Sequence, residues 1–91
     1  MISVELTRRF KRLVREAGRE EEVSATLRLV QDGFGNPHVH AGLSIRKLGK
    51  SIYECRTGLA WRLLFLAQKG VLTFDFAGDH DAVQRYLRGR T

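Results

Sequence analysis

Cysteine, proline and tryptophan are each present once in the sequence, at Cys55, Pro37 and Trp61. A single cysteine excludes an intramolecular disulfide framework and fits a reducing compartment, so a cytoplasmic protein is expected. No stretch of about 18 apolar residues occurs, so no membrane-spanning helix and no membrane partner are expected. The first charges are not followed by a long apolar run, which argues against a secretory signal. Internal repeats and low-complexity tracts are also missing. Residues 1–91 therefore read as one domain.

What is present is a globular balance, with 43% hydrophobic and 29% charged residues in 91 positions. At this size roughly 60–65% of the unfolded surface is buried, so the core has to be compact. The 16 basic side chains outnumber the 10 acidic ones and give a net charge of +6. Residues 1–22 carry six basic and five acidic groups, and residues 23–91 carry ten and five. Such a domain attracts polyanions: nucleic acid, an anionic membrane or an acidic protein.

Periodicity divides the chain into elements. Ile2, Val4 and Leu6 alternate as in a short strand. Thr7 is placed to cap a helix whose Phe10, Leu13, Val14 and Ala17 form one stripe, with Gly18 as its stop. A second helix starts near Arg19, with Glu20, Glu21 and Glu22 at the positive end of its dipole and a stripe of Val23, Thr26, Leu27 and Val30. Residues 32–42 break all periodicity and read as a loop. Four strands follow: Leu43 to Leu48, Ser51 to Arg56, an apolar and central Ala60 to Ala67, and Val71 to Ala77. In the last, Leu72, Phe74 and Phe76 share a face, and Lys69-Gly70 makes the preceding hairpin turn. A short helix over Asp81 to Arg88, capped by Asp79, closes the chain. The expected class is α+β, in the order β-α-α-β-β-β-β-α. An antiparallel sheet of four to five strands carries an N-terminal helical hairpin on one face.

Chemistry is sought among the polar residues of this frame. His38, His40, His80 and Cys55 match no specific metal-ligand spacing, so no metal and no cofactor is expected. Cys55 lies inside a strand near Tyr53, as a small core residue does. The second half offers more. Arg46, Lys47 and Lys50 flank Leu48-Gly49, Arg56 ends a strand, and Arg62 sits in the middle of an apolar one. A buried arginine is costly without a partner. Arg62 therefore faces a polar groove, or pairs with a carboxylate such as Glu54 or Asp75. A groove of cations with His80 and Tyr86 suits metal-free RNA cleavage, in which the 2′-OH attacks the adjacent phosphate. His80 would serve as acid or base, Arg62 and Arg56 would hold the phosphate by forked hydrogen bonds, and Tyr86 would stack on a base or position one. The plain alternative for Tyr86 is packing near Val83.

The ordered set Arg46-Lys47-Leu48-Gly49, Tyr53-Glu54-Cys55-Arg56-Thr57-Gly58, Trp61-Arg62-Leu63-Leu64-Phe65, Phe74, Gly78-Asp79-His80 and Tyr86 resembles the RelE/ParE superfamily of bacterial toxins. The likeness covers residues 43–88, and before them it rests on element order. It implies a type II toxin, restrained by a cognate antitoxin, and for the RelE-like branch ribosome-dependent cleavage of mRNA. By this resemblance Arg62 falls on the strand arginine that contacts the scissile phosphate. His80 falls where relatives place arginine or histidine, and Tyr86 falls on a tyrosine eight residues past Gly78. Arg46, Lys47 and Lys50 fall in the basic strand-turn segment that meets RNA. Arg56 matches a strand arginine common to the superfamily, either structural or RNA-binding. Two departures are a slightly longer turn between Arg56 and Arg62, and Trp61 where tyrosine is common. The implied partners are an acidic antitoxin, the ribosome and mRNA, with operator DNA reached only through the antitoxin. The alternatives are a ParE-like inhibitor of DNA gyrase without enzymatic activity, and an inactive basic binding relative.

Overall fold

The computed structural model describes residues 1–89. Its elements are β1 (Ser3–Leu6), α1 (Arg8–Glu16), α2 (Glu20–Gly33), α3 (Pro37–Gly42), β2 (Arg46–Lys47), β3 (Ile52–Thr57), β4 (Trp61–Gln68), β5 (Val71–Gly78) and α4 (His80–Arg88). The strands form one sheet in the order β1-β5-β4-β3-β2, with β4 at its centre. Three of the four pairings are antiparallel. The fourth, β1 with β5, is parallel, because the chain crosses over through the helices before it returns to the sheet.

Local chemistry accounts for the helix ends. The Thr7 hydroxyl accepts the Phe10 amide at 3.1 Å and opens α1. Gly18, at φ +66°, turns the chain between α1 and α2. The β4–β5 hairpin closes on Lys69 and Gly70, both at positive φ, which matches the twist of the strands they join.

The main core lies between the helical hairpin and the sheet. Phe10, Val14, Val23 and Val30 from the helices meet Cys55, Leu63, Phe65, Leu72, Phe74 and Ala77 from the strands. Aromatic rings run through it: Phe10 lies 5.5 Å from Phe74, Phe74 4.6 Å from Phe65, and Phe65 5.6 Å from Tyr53. Contacts of this kind add about 0.5–1.5 kcal/mol per pair beyond area burial.

Three expectations are corrected. Residues 32–42 are not simply a loop. The second helix runs on to Gly33, and Asn36 and Pro37 then start the six-residue α3. Asn36 accepts the His38 amide at 2.9 Å, and proline occupies the first turn, where its missing N–H costs nothing. Gly33 allows the two helices to touch, since a Cβ there would stand 2.5 Å from Val39. The strand expected over Leu43 to Leu48 shrinks to Arg46–Lys47. Ser44 sits at φ 54°, and the Ile45 amide is bound to the His40 carbonyl at 2.8 Å. Finally, Phe76 leaves the face of Leu72 and Phe74. Leu64 pairs with Phe76 while Phe65 pairs with Phe74, so Asp75 is an extra residue, a β-bulge that reverses the alternation after it.

Candidate active site

Strand register builds the site. Arg56 on β3 stands directly opposite Arg62 on β4, and Arg62 stands opposite Gly78 on β5. Two residues past Gly78, His80 begins α4. Its N-cap is Asp79, whose carboxylate accepts the Ala82 amide at 2.9 Å. Arg56, Leu59, Ala60, Arg62, Asp79, His80 and Asp81 line one shallow groove of about 330 Å³. His80 and Arg56 are exposed, and the Arg62 side chain is 16% exposed. The groove is not purely cationic, because the carboxylates of Asp79 and Asp81 flank the imidazole.

Arg62 answers the question that its place in an apolar strand raised. Its Nη1 lies 3.3 Å from both oxygens of Glu54, and the Glu54 side chain is 2% exposed. Arg46 reaches the same carboxylate at 3.0 Å. Nη2 and Nε of Arg62 have no acceptor among the described residues, so the guanidinium is anchored at one nitrogen and still offers a donor edge.

Asp75 takes a different partner. Arg9 of α1 meets it at 2.8 Å, and the Tyr86 hydroxyl of α4 donates to the same carboxylate oxygen. Burial acts to raise the Asp75 pKa. It is outweighed by the hydroxyls of Tyr86 and Thr7 and by the Arg9 guanidinium, which hold the carboxyl below its usual range. The Tyr86 ring stacks on Phe76 with centroids 4.3 Å apart, and the Arg9 guanidinium lies 5.2 Å from the ring centre. Tyr86 therefore does not line the His80 groove. It borders an apolar dimple with Ile52, Leu64 and Leu66 on the same side of the sheet.

Of the other sequence-derived residues, Lys47 and Lys50 are exposed at the β2 edge, on and beyond the edge strand. His40 accepts the Gly35 amide through Nε2 at 2.8 Å and packs 5.0 Å from Phe34. Among the described residues no group of three or more metal-ligating side chains gathers. Cys55 is fully buried, and burial, helped by the Glu54 charge, pushes its thiol up to about 12. No reactive thiolate resides there. Sequence reasoning missed Arg9, which sits in a run of basic residues that gives no sign of which one turns inward.

No family model and no curated protein matches the sequence. Solved structures do. YafQ from E. coli strain BL21(DE3) superposes with a TM-score of 0.69 over 91% of this chain and 98% of its own, at 15% identity. The chain has the RelE-like fold. The E. coli DinJ–YafQ complex gives a TM-score of 0.64 at 17% identity, covering 91% of this chain and 98% of that one. The solution structure of HP0894 from Helicobacter pylori gives 0.53 at 17% identity, covering 89% and 97%. The RelE-like fold thus spans nearly the whole chain. Its strand order brings Arg56, Arg62 and His80 together although 24 positions separate the first from the last.

Proposed function

We propose that the protein is the toxin of a toxin–antitoxin pair and that it cleaves mRNA on the ribosome at the Arg56–Arg62–His80 groove. The observation that carries this reading is the register of β3, β4 and β5, which sets two guanidinium groups beside the one imidazole of that face. The RelE-like fold, shared with YafQ alone and in complex with DinJ, supports the toxin role and an antitoxin partner.

In the proposed reaction the 2′-oxygen attacks phosphorus, the P–O5′ bond breaks, and a 2′,3′-cyclic phosphate and a 5′-hydroxyl result. The 2′-OH proton goes to a base, and the departing O5′ takes a proton from an acid. His80 fills one of these roles, since an imidazole nitrogen can accept a proton or give one up. Asp81 is the other proton acceptor at hand, because Asp79 is engaged in capping α4. Arg56 and the unengaged edge of Arg62 meet the charge that builds on the phosphorane. Tyr86 donates a hydrogen bond to Asp75 and its ring is held between Phe76 and Arg9, so its part is to position α4, and with it His80, against the sheet. Arg46, Lys47 and Lys50 extend the cationic path for the strand, with Arg46 also bound to Glu54. The antitoxin would present an acidic segment to this surface and carry any contact with operator DNA.

Induced expression in a bacterial host, followed by primer extension on a reporter mRNA, tests the reading. Cuts confined to translated codons, and lost when initiation is blocked, are expected. Growth arrest with intact mRNA would instead indicate a gyrase-directed binder, and no arrest at confirmed soluble expression an inactive relative.

A further inference from the structure

We propose that Leu59, at the tip of the turn between β3 and β4, seats a nucleobase of the RNA strand next to the phosphate held by Arg56 and Arg62. The assignment rests on the reading of this groove as an RNA site. The Leu59 side chain is fully exposed. A lone exposed leucine is ordinary on a protein surface. Leu59 is set apart by its neighbours. It lines the same groove as Arg56, Arg62 and His80, and of the lining residues only Leu59 and Ala60 are apolar.

The turn is fastened at its base and bare at its tip. Thr57, which ends β3, is buried, and its hydroxyl accepts that of Thr26 on α2 at 2.9 Å. The Thr57 hydroxyl in turn donates to the Glu22 carboxylate at 3.3 Å. Gly58 follows at φ +66°, in the left-handed region, and a Cβ there would stand 2.7 Å from Glu22. Trp61, which opens β4, lies 4.8 Å from the Arg19 guanidinium, and Arg19 is paired with Glu22 at 3.0 Å. Both sides of the turn are thus tied to the start of α2, while Leu59 stands out in solvent. A tip held in place beforehand loses less conformational freedom when a ligand packs on it.

The chemistry of the groove matches the two halves of a nucleotide. Arg56 and the unengaged edge of Arg62 suit the phosphate. The base has an apolar face that needs apolar surface close by. The Tyr86 ring does not supply it, because it stacks on Phe76 outside the groove. Leu59 and Ala60 do. Leucine has no hydrogen-bonding atom in its side chain, so it presses on the face of a base and does not read its edge. The wider face of a purine covers more of it than a pyrimidine does, which favours a purine at that position. An acidic protein segment would meet the same cations, but one leucine is a small anchor beside the packed aromatic pockets that fasten protein partners.

The test is an NMR titration of the purified full chain, methyl-labelled at leucine. The ligand is an adenine trinucleotide with fluorine in place of each 2′-hydroxyl, which cannot be cleaved. A second titration uses the same trinucleotide stripped of its bases. The Leu59 signals are assigned by their absence in Leu59→Met. They are expected to move upfield, by the ring current of the base, with the adenine strand only. Leu59→Ser should weaken that strand about tenfold, the loss of one apolar contact, and leave the stripped strand unchanged. Leu59→Met should restore most of the affinity. Leu29→Ser, at an exposed leucine of α2 outside the groove, should change neither. All melting temperatures should stay in place, since these side chains are exposed. Unmoved Leu59 signals with the adenine strand bound would overturn the proposal, as would equal weakening of both strands by Leu59→Ser, or no binding of the adenine strand. Leu59 signals that move with poly-glutamate and not with the adenine strand would make the tip a protein contact and would also overturn it. Cleavage is not read here, so the two readings fail separately. A leucine–base contact in a chain that cuts no mRNA would sink the nuclease and keep the contact, and cuts without the contact would do the reverse.

Discussion

Nη1 of Arg62 is held 3.3 Å from the buried carboxylate of Glu54, across the pairing of the two central strands. The same arginine is thus a structural member of the sheet and the wall of a groove, and a substitution there acts on both. Arg62→Ala leaves Glu54 with only the exposed Arg46 and is expected to cost about 3 kcal/mol of stability. Urea denaturation should show a lower midpoint with an unchanged slope. The pair exchange Glu54→Gln with Arg62→Met should recover most of the loss and still lack cleavage.

His80 carries no such double duty. It is exposed in the first turn of α4, so His80→Ala is expected to change stability by no more than about 0.5 kcal/mol. Growth arrest and mRNA cuts should disappear while the thermal unfolding curve stays in place. Full toxicity of this variant would remove the imidazole from the reaction.

Tyr86 separates ring from hydroxyl. Tyr86→Phe keeps the stack on Phe76 and deletes the donor to Asp75, which should cost about 1 kcal/mol and leave most of the cleavage. Tyr86→Ala should lose both the stack and the cleavage. Loss of cleavage with phenylalanine, at an intact melting curve, would show that the hydroxyl acts in the reaction.

Asp75 sets an acid limit. Its pKa is depressed in the folded state, so its contribution to stability is complete above the usual carboxylate range. That contribution is lost as pH falls through the lower, folded value. Unfolding midpoints measured from neutral pH into the acid range should therefore fall more steeply for the parent than for Asp75→Asn. Equal slopes would mean that the Arg9 and Tyr86 contacts do not persist in solution.

Most of the frame was legible because its signals are local. Thr7 and Asp79 cap the helices they were expected to cap, Lys69-Gly70 forms the hairpin turn, and the stripes Phe10–Val14 and Val23–Val30 face the core. Cysteine at 55 proved to be packing, as its place in a strand implied. What was missed is non-local or read too coarsely. Asn36-Pro37 is a helix-start signal that was absorbed into a glycine-rich loop. The bulge at Asp75 has no mark in the strand's own alternation, and appears only once β4 fixes which residues are opposite. Likewise Glu54 and Asp75 were equal partners for Arg62 until the register put Glu54 beside it. Asp75 went instead to Arg9 and Tyr86, 66 and 11 residues away. The clustering of Arg56, Arg62 and His80 followed from strand order, but the exclusion of Tyr86 from their groove did not.

The burial of Cys55 gives the molecule its own clock. A thiol with no exposed surface and a pKa near 12 cannot meet an alkylating reagent while β3 stays between its neighbours. Every labelling event must count an opening of the central sheet. As the single thiol in 91 residues, it reports that opening without ambiguity of site, by mass alone. An antitoxin that clamps the sheet would slow the label, and one that only covers the groove would leave its rate unchanged.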